Sequence, residues 1–93
     1  MKEIFKVNNK VEIFPQKYGW HFIRIPKSIT TKLVHKADRG LIAINATVGM
    51  TSWDTSLLPM GDGTHFIALN AKVRKKEKIY LGDTIEIIFQ LRL

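Results

Sequence analysis

A small, mainly β barrel, closed or partly open and carrying two short helices, is the fold this sequence predicts. Three observations lead there. Six separate stretches alternate apolar and polar residues with the two-residue period of strands. Proline, glycine or asparagine turn signals bound them, and Gly49-Met50 marks one hairpin clearly. The stretches set a bulky face against a charged one, which suits the wall of a small barrel.

Residues 3–14 place Phe5, Val7, Val11 and Ile13 on one side and Lys6, Lys10 and Glu12 on the other. Asn8-Asn9 offers a turn, but the odd-numbered apolar register runs across it, so one long strand is expected, ended by Pro15 and Gln16. Residues 18–25 alternate Tyr18, Trp20 and Phe22 with His21, Ile23 and Ile25. Both faces are largely apolar, which predicts a central strand. After Pro26, residues 27–37 carry Ile29, Leu33 and Val34 at helical spacing, with Ser28 as the expected cap. Gly40 releases the chain into a strand over 41–48, and 51–58 returns from the hairpin carrying Trp53. Pro59 and Gly61-Asp62-Gly63 reverse the chain into a strand over 64–70. Asn70 is a good cap for a short helix over 71–78. The last strand, 84–93, puts Ile85, Ile87, Phe89, Leu91 and Leu93 on one face.

Ninety-three residues predict a single domain with a radius of gyration of roughly 12 Å. No apolar run approaches the roughly 18 residues of a membrane span, and residues 1–14 lack the continuous apolar core of a signal peptide. There is no cysteine, which removes disulfides, thiolate chemistry and cysteine-based zinc sites together. A cytoplasmic protein, weakly inclined to be a monomer, is the expectation from these features. The formal charge of +7, from 15 Lys and Arg against 8 Asp and Glu, raises the odds of an anionic partner. It also serves solubility alone.

Several motifs, in order, resemble one known family. They are Trp20-His21-Phe22, Ile25-Pro26-Lys27, Val48-Gly49-Met50-Thr51-Ser52-Trp53, Thr55-Ser56-Leu57, Val73-Arg74-Lys75 and Leu81-Gly82-Asp83-Thr84-Ile85. Together they are similar to the bacterial and archaeal domain of unknown function nineteen-oh-five, found alone or fused to a domain associated with bacteriocin resistance. The resemblance implies a double-split β-barrel, an architecture shared with the DNA-binding domains of transition-state regulators and some antitoxins. It implies no activity, and likeness of fold to DNA binders is analogy.

The densest charge lies in 72–78, where Lys72, Arg74, Lys75, Lys76 and Lys78 stand against one acid. These cations suit phosphates, with help expected from Lys27, Lys32 and Lys36 on the first helix. The structural reading is that Val73 and Ile79 or Tyr80 pack inward while the cations are solvated and complement the helix dipole. The run itself lacks the interleaved aromatics of a single-strand stacking surface and is short for a major-groove helix. Gly82-Asp83 reads as turn chemistry.

Other candidates are weaker. Trp53-Asp54-Thr55-Ser56 places a hydroxyl beside an acid, but a triad needs a histidine, and His21, His35 and His65 fall in three different elements. The histidines show no metal-ligand spacing. Gly61-Asp62-Gly63 lacks the spacing of a phosphate loop. Tyr18, Trp20, Phe22 and Trp53 either line an apolar pocket or, as their size favours, fill the core. The sequence thus predicts a non-enzymatic binding module without cofactor or metal, with nucleic acid as the first candidate partner. A protein or small ligand, held at an aromatic pocket or strand edge, is the other reading.

Overall fold

The computed structural model describes residues 3–15 and 19–92. Tyr18 and Leu93, assigned above to strands, and Gln16, assigned to a strand end, lie outside these residues. The strands are β1 (Ile4–Lys10), β2 (Glu12–Ile13), β3 (His21–Ile25), β4 (Ile42–Val48), β5 (Thr51–Pro59), β6 (His65–Ala68) and β7 (Thr84–Leu91). Helix α1 (Lys27–Leu33), continued by a 3-10 turn (Val34–Lys36), joins β3 to β4. Helix α2 (Ala71–Glu77) joins β6 to β7.

The strands form one antiparallel sheet in the order β1-β7-β4-β5-β6-β3-β2. Its two ends are the same length of chain. β1 and β2 follow one another directly, interrupted only at Val11, so the sheet curls into a nearly closed barrel. At the interruption the Val11 N–H donates to the Asp83 carbonyl (2.8 Å), and the Val11 carbonyl accepts from Gly82 (3.0 Å). The single long first strand predicted from the apolar register is therefore present, with Asn8 and Asn9 in the ladder opposite Glu86 and Ile85. It serves two neighbours in turn, β7 and then β3, which makes seven strands of the predicted six. Where β1 and β3 share no ladder, the Asn9 side-chain amide spans the gap to the Arg24 carbonyl (3.2 Å).

Alternation decides the core. Phe5 and Val7, Ile23 and Ile25, Ile42, Ile44, Ala46 and Val48, and Ile87 and Phe89 all point inward and are buried. The cross-strand partners Phe5 and Phe89 stack with ring centroids 5.1 Å apart. Past Val11 the predicted register fails, and Ile13 is 40% exposed. The chain bends there to change partners. Phe14 then stacks on Phe22 (4.0 Å) and meets the edge of Phe66 (5.0 Å), making a second aromatic cluster on the far face of β3 and β6. That cluster gives β3 the two apolar faces predicted for a central strand.

The first helix is shorter than predicted and is not capped by Ser28. Pro26 holds the cap position, and its carbonyl accepts from Ile29 (3.0 Å) and Thr30 (3.1 Å). Thr30 and Leu33 are buried, whereas Val34 is 52% exposed, because the tighter 3-10 turn begins at Val34 and rotates it outward.

Chain direction places the helices. α1 leaves the end of β3 and enters the start of β4, and β3 lies antiparallel to β6, whose C-terminal end launches α2. The two helices therefore cap opposite ends of the barrel. Neither is long and apolar enough to cross a membrane. The radius of gyration, 12.5 Å, agrees with the expectation from length.

Candidate anion-binding groove

Helix α2 is built as its sequence predicts. The Asn70 side chain accepts from the Val73 N–H (2.9 Å), supplying a partner for one of the first-turn donors. Val73 and Ile79 are buried beneath the helix. Lys78 ends it in the left-handed conformation (φ 52°), with its N–H on the Arg74 carbonyl. The following turn closes when the Tyr80 N–H donates to Asp83 Oδ2 (2.8 Å) and Gly82 supplies φ 90°. The Glu77 carboxylate turns away to accept from Thr51 Oγ1 (2.5 Å) beside the hairpin tip.

That leaves the cations. Lys72, Lys75, Lys76 and Lys78 are exposed, and Arg74 is half-buried with its Nε donating to the Leu69 carbonyl (3.0 Å). None of the five joins a salt bridge among the described residues. They do not all face one way. Arg74, Lys75 and Lys78 line one concave surface, while Lys72 and Lys76 lie outside it.

The opposite wall of that surface comes from the start of β3. Pairing of β3 with β6 brings the two together, and the Leu69 N–H donates to the His21 carbonyl (2.9 Å). Trp20 precedes the first ladder residue and stays 54% exposed, so it is not the core filler its size suggests. Phe22 is buried in the second aromatic cluster, and Trp53 packs against the main core. Trp20, His21, Asn70 and Arg74 enclose a cavity of about 350 Å³. Across His21 and Arg74 it continues into a second of about 410 Å³, walled by Lys75, Lys78 and Tyr80. Tyr80, a candidate for packing inward, is instead 68% exposed at its rim.

His21 sits at the join. Its Nδ1 is shielded from solvent, and among the described residues no hydrogen bond of good geometry reaches it. Desolvation, and then the Arg74 guanidinium, hold the imidazole below its usual pKa of 6.5, with the Gly19 backbone opposing.

The other predicted cations are elsewhere. Lys27, Lys32 and Lys36 belong to α1 and its 3-10 turn, at the far end of the barrel from α2. Lys32 pairs with Glu3 (2.6 Å) and lies over the Phe5 ring (5.6 Å). Lys36 borders a different cavity with Asp38, Ser56 and Arg92. The structure does not join the two lysine groups.

The remaining motifs stay apart from the groove. Asp54 accepts from Asn45 Nδ2 (3.0 Å) and stands 3.8 Å from Arg92. His21 and His65 each begin a strand of an antiparallel pair and so lie at opposite ends, and His65 Nε2 is 3.0 Å from the Gly40 carbonyl. No histidine hydrogen-bonds Asp54 or Ser56 among the described residues. Gly61-Asp62-Gly63 is a turn in which Asp62 accepts from the Thr64 hydroxyl and N–H, and these bonds lower its pKa.

A family model described as Domain of unknown function (DUF1905) matches residues 5–88. The chain belongs to that family. No curated protein matches the chain. The DUF1905 match takes in both walls of the groove, from Trp20 and His21 to Arg74 and Tyr80. The family's description carries no function, and the chemistry of the groove is that of these side chains. Sequence reasoning located the basic wall and named Trp20 among residues that line a pocket or fill the core, with the core favoured and Trp20 placed inside the strand. The β3–β6 pairing that leaves Trp20 exposed beside Arg74 is long-range.

Proposed function

We propose that this protein is a non-enzymatic binding module, acting as a monomer, that holds nucleic acid at the α2 end of the barrel. One observation carries the reading. Three cations without acidic partners among the described residues, Arg74, Lys75 and Lys78, converge on a groove whose other wall is the exposed Trp20 and whose rim is Tyr80. Charges left unpaired around a concavity attract an anion, and exposed rings give it a surface to lie on. The protomer's own strands nearly close the barrel, which supports a monomer.

Fluorescence anisotropy with labelled oligonucleotides at rising salt tests the proposal. If three phosphates are engaged, log K falls against log salt with a slope of roughly −2 to −3. Affinity that does not change with salt, or no binding at low salt, removes it.

A further inference from the structure

Resting on the nucleic-acid reading, we infer that the ligand is single-stranded, with an unpaired base stacked on Trp20 and its phosphates on Arg74, Lys75 and Lys78. The groove is part of a longer track. On its far side Trp20 also walls an aromatic cavity of about 280 Å³ with Phe14, Phe66, Met60 and Pro59. Trp20 thus stands between an apolar aromatic hollow and a basic one, and His21 with Arg74 forms the passage between Trp20 and Lys75.

Such an order of surfaces matches a strand whose bases are free. In a duplex the base faces are stacked on one another and only phosphates and groove edges are presented, so the aromatic part of the track would have no base face to stack on. A single strand offers both: flat π faces for the aromatic hollow and phosphates for the cations. Helix α2 is also poorly suited to a duplex. At seven residues it is about 10 Å long, and its cations divide between the groove and other directions.

The test uses Trp53→Phe protein, in which Trp20 is the sole tryptophan. Three probes are compared: a single strand of about ten nucleotides, the same sequence as a duplex, and inorganic polyphosphate. The single strand should bind roughly tenfold or more tightly than the duplex and quench Trp20 emission, which polyphosphate should not. Trp20→Ala should weaken the single strand by roughly tenfold or more, and Trp20→Phe should restore most of it. Trp20 is exposed and outside the ladder, so both variants should keep the parent's circular dichroism. Equal binding of all three probes, without quenching and with Trp20→Ala silent, overturns single-strand recognition and leaves the anion-binding groove standing. Absence of binding to every probe at low salt overturns both.

Discussion

His21 is ordinary by position, the first residue of a strand, and unusual by environment. Its backbone carbonyl joins the ladder to Leu69, while its ring is caught between a desolvating groove and the Arg74 charge. Both effects disfavour the imidazolium, so the folded pKa lies below 6.5. The unfolded chain then takes up a proton first as pH falls. Stability linked to His21 is complete above pH 6.5 and declines as pH drops through 6.5 toward the lowered folded value. An anionic ligand reverses the local balance, because a phosphate near the ring favours the charged form. An NMR titration should place the His21 midpoint below 6.5 in the free protein and raise it when an oligonucleotide is bound. A free midpoint at or above 6.5 would contradict the environment described. Trp20 makes the complementary point: an aromatic residue near a strand is not core until the register says so.

At the scale of elements, α2 is fixed from both sides. Asn70 caps its start, the left-handed Lys78 ends it, and Val73 and Ile79 seat it on the barrel. A further tie runs to the β4–β5 hairpin, where Thr51 donates to Glu77. That tie explains Gly49. Its φ of 56° suits a tight hairpin, and a Cβ there would collide with the Glu77 carboxylate. Gly49→Ala should therefore cost roughly 1–3 kcal/mol through backbone strain and the displaced carboxylate, a fall in Tm of about 5 °C or more. Thermal denaturation measures it, and an unchanged Tm would show that Glu77 yields freely. Local chemistry was legible for this helix because caps and turns act over three or four residues. It misled for α1, where Pro26 took the cap from Ser28 and the 3-10 turn exposed Val34.

Across the whole molecule, closure by one strand sets the arrangement of charge. The bend at Val11 lets residues 4–13 pair first with β7 and then with β3, and the barrel so formed carries α1 at one end and α2 at the other. The +7 charge is accordingly not one basic face. Reversing charge at each end separates the contributions. Lys75→Glu with Lys78→Glu should lower oligonucleotide affinity by roughly tenfold or more at moderate salt, whereas Lys27→Glu with Lys36→Glu should change it by about twofold at most, by long-range screening alone. Anisotropy at fixed salt reads both. Equal losses from the two pairs would place the ligand somewhere other than the α2 groove.

The sequence by itself determined the mainly β barrel, the approximate span of most strands, the Asn70 cap, the Gly49 hairpin and the Gly82-Asp83 turn. All of these rest on period-two alternation or on interactions between residues a few positions apart. It also located the basic run. Tertiary structure alone decided that Ile13 leaves the core, that Lys27, Lys32 and Lys36 stand away from Lys72, Arg74, Lys75, Lys76 and Lys78, and that Trp20 and His21 face Arg74. Those outcomes depend on which strands pair across dozens of residues, and no local periodicity encodes that choice. The stretch of highest charge is one wall of a groove, and the fold supplies the other.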